Sequence, residues 1–482
     1  MKKIIYSALI AVAGLGLAAC NEVKDVYEMD MMDGIEMVVR SVSVEDGTTV
    51  RPLEYITVDY NNLVGIDKSK TATLNGEALE AYINPDNGMQ LVVNVNTKWN
   101  TDYTFEIPAG MIYRRDDASV TNGGVTVNFN THGGADKAKL DKKLTNAAAS
   151  AEAVALYNQL MNDYGVVMYS GAMGGVAWET TYTDYISANN EGAGYPKVVG
   201  FDYIHLAYSP ANWIDYGDIT PVKQVWDAGS IPAITWHWNV PNSMDGITKP
   251  EDRNVNDLNA KSTGFSLERA LTAGTPENAI LEADIKKLAG YMKLLADAKI
   301  PVLFRPLHEA AGDFSWGAWF WWGMSGTDAT KQLWSLLRQR LESDYGINNL
   351  IWVWTMDTSD AGQFASIERV RDAYPGNDNV DIVGADIYPA LAMTDQTETF
   401  TFINNVVEGK KIVALSEIGN LVDPATAAEN NALWSWFMNW YDYDGTSFYF
   451  REWNTQKVTV GDTEYANPWA AVANSPYVLN RK

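Results

Sequence analysis

Eight mostly apolar segments, each the length of one β-strand, recur through about the last 340 residues of this 482-residue chain. Longer segments with helical periodicity separate them, such as ILEADIKKLAGYMKLLADAK at 280–299, where apolar residues lie three and four apart. Nearly continuous apolar strands alternating with helices indicate a parallel sheet that helices cover. Eight such units predict the α/β class and a closed (β/α)₈ TIM barrel over residues 140–482. The predicted strands are 164–174, 197–208, 231–239, 300–309, 349–357, 380–389, 410–419 and 446–454.

Residues 34–132 have a different pattern, with short alternating runs such as EYITVDYNN and GVTVNFNTH. The turn pairs Asn75-Gly76 and Asn87-Gly88 lie between such runs. Period-two alternation with these turns predicts a small antiparallel β-sandwich domain. Its run order resembles the bacterial Ig-like domains that precede secreted catalytic modules. We therefore expect a spacer, with carbohydrate binding as the alternative.

The first residues, MKKIIYSALIAVAGLGLAAC, have a basic start, an apolar run and small residues before Cys20. The ending LAAC resembles the lipobox of bacterial lipoproteins, which implies that residues 1–19 are a signal peptide and that Cys20 carries the lipid. A plain secretory leader is the alternative. Residues 20–33 then form a polar tether. The resemblance implies attachment to the bacterial outer membrane, on its cell-surface or periplasmic face, because no later run has the ~18 apolar residues of a spanning helix.

Charge and residue usage exclude several classes of function. A net charge of −25 argues against nucleic acid or an anionic membrane as partner, since phosphates would be repelled. Cys20 is the only cysteine, and its place in the leader leaves no thiol nucleophile or internal disulfide. The sequence has no Gly-rich phosphate loop and no G-x-S-x-G elbow, so phosphoryl transfer and serine hydrolysis fit poorly. Only two His lie at the ends of predicted strands, so metal-dependent hydrolysis also fits poorly. A neutral ligand and a monomeric protein remain compatible with this composition.

Several predicted strands end in polar or ionisable residues, and such ends meet at one face of a barrel. The fourth strand is followed by RPLHEAAGDFSWGAWFWWG, which combines one Arg, one His and one Glu with Trp316, Trp319 and further indoles. Two glutamates on different strands, flanked by Trp, fit glycoside hydrolysis, because sugar C–H faces stack on indole and the bond needs two carboxyl groups. The candidate site residues at strand ends are His237, Arg305, His308, Glu309, Asp386, Tyr388, Glu417, Arg451 and Trp453.

The motifs RPLHE…WFWWG and SEIG resemble glycoside hydrolase family 26, whose best-known members are β-mannanases. The resemblance covers about residues 140–482 and implies a retaining endo-β-1,4-mannanase that needs no metal or organic cofactor. Residue by residue, it implies that Glu309 is the acid/base and Glu417 the nucleophile. We expect a raised pKa for Glu309, caused by burial beside indole and by the charge of Glu417. The resemblance also implies substrate or supporting contacts for His237, Arg305, His308, Trp319 and Tyr388.

Two departures from the family pattern affect the loops that set substrate preference. The insertion DFSWGA lengthens the loop after the fourth strand and adds Trp316. At the predicted eighth strand the chain has FREWN where relatives often have Trp-Arg-Asn, so Trp453 is the expected aromatic platform and Arg451 the candidate partner. The expected ligand is β-mannan, galactomannan or glucomannan. A β-1,3-1,4-glucanase or β-1,3-xylanase of the same family is the alternative activity, and a non-catalytic glycan-binding lipoprotein is the alternative class.

Overall fold

The computed structural model describes residues 36–482, apart from the segments listed at the end of this paragraph. The chain divides into two compact units, residues 1–132 and 133–482. Among the described residues, no helix combines the length and the apolar character that crossing a bilayer requires. The segments not described are 51–52, 98–100, 132–133, 255, 259–262, 312, 315–316, 319, 358–366, 389–392, 394–395, 420, 441–457 and 461–462.

The first unit is all β. In the described part of this unit the strands form three sheets, and Leu91, Phe105 and Ile112, all fully buried, are part of one core. The predicted turn at Asn75-Gly76 is a two-residue hairpin connection, with φ of 50° and 82°, the left-handed values that Asn and Gly tolerate best. Its strands are Val39–Val42, Thr48–Val50, Tyr55–Tyr60, Val64–Ile66, Thr73–Leu74, Glu77–Ala78, Ala81–Ile83, Gln90–Asn94, Asp102–Ile107, Ile112–Arg114, Asp117–Thr121 and Val125–Thr131.

The second unit is a closed barrel of eight parallel strands, which confirms the predicted (β/α)₈ fold. Every residue of strands such as Ile231–Trp236 and Ile412–Ile418 is buried, as expected for strands packed on both faces. Helices surround the barrel, and the longest, Pro276–Asp297, begins with Thr275 accepting from the Asn278 N–H and with Pro at its first position. In chain order the barrel strands are Gly171–Met173, Val198–Asp202, Ile231–Trp236, Val302–Pro306, Leu350–Asp357, Ile382–Ile387, Ile412–Ile418 and Phe437–Asn439.

The α-helices of this unit alternate with the barrel strands. Among the described residues they are Ala151–Asp163, Thr181–Asn189, Thr220–Asp227, Leu267–Ala270, Pro276–Asp297, Thr327–Arg338, Ile367–Ala373, Thr397–Val406, Pro424–Glu429 and Pro468–Ala473. Short 3₁₀ turns lie at Pro250–Asp252, Trp321–Gly323 and Asn377–Asn379, and a π-helical turn at Gln339–Asp344. Small ladders outside the barrel pair Met168–Tyr169 with Val478–Leu479, Val240–Pro241 with Asn256–Asp257, Asp313–Phe314 with Gly317–Ala318, and Val458–Val460 with Thr463–Tyr465.

Seven predicted strands contain the observed barrel strands, but the eighth was placed wrongly. The barrel closes through Phe437–Asn439, which pairs with the first and seventh strands, and not through 446–454. Residues 446–454 lie outside the described part of the chain. The true strand belongs to the run WSWFMNW, which is too short for its periodicity to distinguish a buried strand from a helix.

Candidate active site

The turn after the fourth barrel strand presents the most polar part of the predicted motif. Leu307 and Glu309 both have left-handed backbone conformations, with φ of 53° and 52°, on either side of His308. Non-glycine residues pay for this conformation, and it is held where the surrounding structure dictates it, often at functional sites. Arg305 and His308 are buried and Glu309 is half-buried, so the end of the fourth strand and the turn after it place three ionisable side chains at the carboxyl end of the barrel.

Arg305 links the fourth strand to the sixth and seventh strands. Its guanidinium donates to Asp386 Oδ2 at 2.7 Å and to Glu417 Oε2 at 2.6 Å, and all three side chains are at most 5% exposed. Burial alone lowers the pKa of Arg305, but the carboxylates of Asp386 and Glu417 outweigh it and raise the net value. A buried guanidinium that bridges two buried carboxylates holds both of them in place.

Two hydroxyl groups complete the surroundings of these carboxylates. The Tyr388 hydroxyl donates to Glu417 Oε1, and the Ser416 hydroxyl donates to Asp386 Oδ1 at 2.9 Å. Burial, and then the negative charge of Glu417, raises the pKa of Tyr388 well above its ordinary value. Tyr388 therefore stays a proton donor, and both oxygens of Glu417 accept a hydrogen bond from a fixed partner.

The carboxylates of Glu309, Asp386 and Glu417 form one cluster, in which one oxygen of each lies within 4.8 Å of the others. Glycosidases that retain configuration hold their two carboxyl groups about 5–5.5 Å apart, whereas inverting enzymes need about 6.5–9.5 Å for an intervening water. The Glu309–Glu417 separation fits the retaining class. Three carboxylates could also ligate a metal ion, but Arg305 already supplies a cation to two of them, so a metal would have to compete with it.

A chain of hydrogen bonds runs from the second barrel strand to the turn that carries Glu309. Asp202 Oδ2 lies 2.6 Å from His237 Nδ1, and Asp202 Oδ1 also accepts from the His237 backbone N–H at 3.1 Å. The Nε2 atoms of His237 and His308 face each other at 3.1 Å, so one of them carries the bridging proton. Asp202, which is 1% exposed, therefore fixes the direction of the His237 ring and, through it, the His308 ring.

His308 is the more deeply buried of the two rings. Burial, followed by His237 and the positive charge of Arg305, holds the pKa of His308 well below its usual range. The Thr235 hydroxyl donates to the Arg305 carbonyl at 2.9 Å, and its oxygen lies 3.4 Å from His308 Nδ1. The ring next to Glu309 is thus held from both sides without adding a charge.

Comparison with known proteins assigns the family. Residues 145–474 match the profile described as Glycosyl hydrolase family 26. The chain belongs to glycosyl hydrolase family 26. A mannan endo-1,4-β-mannosidase of Thermothelomyces thermophilus is 30% identical over 413 residues, covering 83% of this chain and 76% of that relative. The chain spans about half the length of a mannan endo-1,4-β-mannosidase of Piromyces sp., covering 49% of it at 31% identity.

Solved structures agree with this assignment. The family 26 domain of an endo-β-mannanase/endo-β-glucanase from Prevotella bryantii is 33% identical, with a TM-score of 0.60, and covers 71% of this chain and 98% of that domain. A β-mannanase from a symbiotic protist of the termite Reticulitermes speratus, solved with a gluco-manno-oligosaccharide, is 31% identical with a TM-score of 0.56, and the match covers 71% of this chain and 97% of that one. The protein is therefore a glycoside hydrolase by family.

The Trp-rich segment of this family 26 chain is, where described, largely a packing element. Trp321 Nε1 donates to the Trp238 carbonyl at 2.7 Å, and Trp322 Nε1 donates to the His308 carbonyl at 3.1 Å. Both indoles are at most 1% exposed. The Phe320 ring lies 4.9 Å from the His308 ring and stacks on Trp322 at 4.4 Å. These rings hold the His308 turn in place, whereas the predicted contact residues Trp316 and Trp319 lie outside the described residues.

The correction of the eighth strand changes the aromatic residue at its end. Trp440 follows Phe437–Asn439 directly, and its ring lies 5.5 Å from that of His237. The aromatic residue directly after the observed eighth strand of this family 26 chain is therefore Trp440. Arg451 and Trp453 lie outside the described residues, so the expectation for them stays a prediction.

Of the predicted residues, the structure places seven in one contiguous site, and sequence reasoning missed four that support them. Asp202 could have been found, because it ends the apolar run KVVGFD just as Glu417 ends its own run. Thr235, Ser416 and Trp440 gave no signal beyond lying at or near strand ends. The seven predicted residues are His237, Arg305, His308, Glu309, Asp386, Tyr388 and Glu417.

Proposed function

We propose that this protein is a retaining endo-β-1,4-mannanase, with Glu417 as the nucleophile and Glu309 as the acid/base. The observation that carries the proposal is the pair of carboxylates within 4.8 Å, one of which, Glu417, accepts hydrogen bonds from Arg305 and Tyr388. The names of the family relatives supply the substrate class, which is β-1,4-mannan. This polymer is neutral, so the net negative charge of the protein does not repel it. The β-1,3-1,4-glucanase and β-1,3-xylanase alternatives use the same pair.

The reaction takes two displacements. In the first, a Glu417 oxygen attacks the anomeric carbon while Glu309 gives its proton to the glycosidic oxygen, so that one chain end leaves and a glycosyl ester forms. Forming the ester removes the negative charge of Glu417, which lets Glu309 act as a carboxylate. In the second, Glu309 takes a proton from water as the water oxygen attacks the same carbon and Glu417 is released.

Arg305 and Tyr388 both act on Glu417 in these steps. Both bind Glu417 in its ionised form, which orients the attacking oxygen and stabilises the carboxylate again when the ester is hydrolysed. Asp386, held by Arg305 and Ser416, keeps the guanidinium neutralised after Glu417 has become an ester. No step requires a metal or an organic cofactor.

The test measures new reducing ends from mannan, galactomannan, glucomannan, lichenan and xylan. We expect the wild type to act on the mannans, Glu417→Gln to release no product, and Glu282→Gln to match the wild type. Glu282 is a matched control because it pairs with Arg340 on the outside of the barrel. If the wild type cleaves only lichenan or xylan, the substrate assignment is wrong and the alternative glucanase or xylanase activity takes its place. If it binds mannan without cleaving it, the protein is a glycan-binding protein and not an enzyme.

We also propose that the chain is a lipoprotein of the outer membrane, anchored through Cys20, and that the all-β unit is an Ig-like spacer in a monomeric protein. The lipid anchor is supported by the sequence alone, through LAAC at the single cysteine. Residues 1–35 lie outside the described part of the structure. Cys20→Ala should move the protein from the membrane fraction to the soluble fraction without changing its specific activity. Retention of that variant in the membrane fraction would contradict the lipid anchor.

A further inference from the structure

Arg369 is a charged side chain of the barrel unit that the proposed reaction does not use. It lies on a helix between the fifth and sixth barrel strands and is half-buried. Its guanidinium donates from Nε to the Ala311 carbonyl at 3.0 Å and from Nη2 to the Gly323 carbonyl at 3.1 Å. Both acceptors belong to the segment 310–323, which follows Glu309. A side chain from the next unit of the barrel therefore binds the loop that follows the acid/base.

The two ends of this loop meet where Arg369 binds it. A Cβ on Gly323 would lie 2.6 Å from the Ala310 carbonyl oxygen, so the two backbones approach too closely for a side chain at this position. Between the two ends, Asp313–Phe314 pairs with Gly317–Ala318 in a short antiparallel ladder. The loop therefore has a narrow base, and Arg369 binds one carbonyl group on each side of that base.

The turn that carries Glu309 needs support from its surroundings. Leu307 and Glu309 both have left-handed backbone conformations, with φ of 53° and 52°, which cost free energy in residues that have a side chain. Before Glu309, the Trp322 indole donates to the His308 carbonyl at 3.1 Å. After Glu309, Arg369 binds the chain two residues further on. These two bonds enclose the strained residue, so the loss of either would let its backbone relax and its carboxyl group move.

A guanidinium is well suited to holding the base of this loop. It is planar and always charged, and its N–H groups point in fixed directions, so it can bind two carbonyl oxygens in one geometry. Hydrogen bonds from a charged donor are about twice as strong as those from a neutral donor. The ladder within the loop has only two residue pairs among the described residues, and isolated two-stranded hairpins are marginally stable at best. The base of the loop therefore depends on contacts from other parts of the fold.

We propose that Arg369 is a positioning residue for the acid/base, which holds the base of the loop 310–323 and thereby the direction of the Glu309 carboxyl group. The inference rests on the proposed reaction, in which Glu309 must reach the glycosidic oxygen. A displacement of about 1 Å in a reacting group can cost on the order of 10²-fold in rate. Glu417 lies at the end of the seventh strand and has its own side-chain partners, so losing Arg369 should leave the nucleophile in place.

The test compares two substrates that differ in their need for an acid. On mannan, Arg369→Gln should lower kcat about 10- to 100-fold, because the departing sugar needs a well-placed proton from Glu309. On 2,4-dinitrophenyl β-mannobioside the leaving group needs no proton, so the glycosylation step should match the wild type. Pre-steady-state release of the phenol measures this step. Arg369→Lys keeps the charge but not the planar fork, so its rate on mannan should lie between those of the wild type and Arg369→Gln.

The matched control is Arg371→Gln. Arg371 lies on the same helix, with its guanidinium 5.6 Å from the centre of the Phe402 ring, so this variant removes the same kind of side chain from a different contact. It should match the wild type on both substrates. Thermal unfolding of every variant shows whether it is folded. If Arg369→Gln does not fold, Arg369→Lys provides the same comparison of substrates.

Failure of this inference differs from failure of the proposed function. A wild type that releases no reducing ends from mannan refutes the function. If the wild type cleaves mannan and Arg369→Gln cleaves it equally fast, the inference about Arg369 is wrong. An equal loss in the glycosylation step on both substrates would also overturn it, because Arg369 would then support the fold of the whole centre. The same substrate-dependent loss in Arg371→Gln would assign the effect to the helix and not to the two carbonyl contacts.

Discussion

The two glutamates of the barrel rim are held in different ways. Glu417 lies at the end of the seventh strand, and its carboxylate accepts directly from the buried guanidinium of Arg305. Glu309 lies in a turn after the fourth strand, and Trp322 and Arg369 bind backbone carbonyl groups on either side of it. Every substrate needs the nucleophile, whereas the need for the acid depends on the leaving group. Changes at Glu417 should therefore slow every substrate, and changes around Glu309 should slow substrates according to their leaving group.

The largest effect should come from removing the buried nucleophile. Glu417→Ala should lower kcat on every substrate by roughly 10⁴-fold or more, because no other group can form the glycosyl ester. Steady-state rates on mannan and on an aryl β-mannobioside measure this loss. If the variant kept measurable activity that azide does not increase, Glu417 would not be the nucleophile.

Removing the acid/base should separate the two substrates. Glu309→Ala should slow mannan hydrolysis by about 10²- to 10⁴-fold, the usual contribution of general acid catalysis. An aryl β-mannobioside whose leaving group needs no proton should be affected much less in the glycosylation step, which pre-steady-state release of the phenol measures. Equal losses in that step on both substrates would contradict the role of Glu309.

A smaller effect is expected at Asp202, which touches His237 and not the sugar. Asp202→Asn should lower kcat by about 10- to 100-fold with little change in KM, by analogy with the carboxylates that orient metal-bound histidines. The pH profile of kcat should shift as well, because the charge beside the two histidines is lost. The matched control is Glu277→Gln, another buried carboxylate that binds Arg269 away from the site. If the control lost kcat to the same degree, the loss in Asp202→Asn would reflect a weakened fold and not the orientation of His237.

The smallest effect concerns stability and pH. The pKa of His308 is held well below 6.5 in the folded state, so below about pH 6.5 the unfolded chain binds a proton that the folded chain does not. The stability that His308 contributes is therefore complete above pH 6.5 and is lost as the pH falls from there toward the folded pKa. Urea unfolding of the barrel between pH 7 and 5 should show a decline that is shallower in His308→Gln. Parallel declines in both proteins would show that His308 does not carry this dependence.

The sequence predicted the ionisable residues at strand ends far better than the contacts that hold the loops. Glu309 and Glu417 could be predicted because each lies at or just after the end of an apolar strand within a family motif, and barrel geometry brings strand ends together. The eighth strand was misplaced, since Phe437–Asn439 is only three residues long and lies in a run with no clear period. Arg369 could not be found, because it binds the distant loop through backbone carbonyl groups, which every residue type carries.

The most direct test of the account is the configuration of the first product. Hydrolysis of a reduced mannopentaose, followed by proton NMR before mutarotation, shows whether the new reducing end is first formed as the β- or the α-anomer. The Glu309–Glu417 separation within 4.8 Å leaves no room for a water between the carboxyl groups and predicts the β-anomer first. Formation of the α-anomer first would mean inversion, and it would contradict both the covalent intermediate on Glu417 and the roles assigned to the pair.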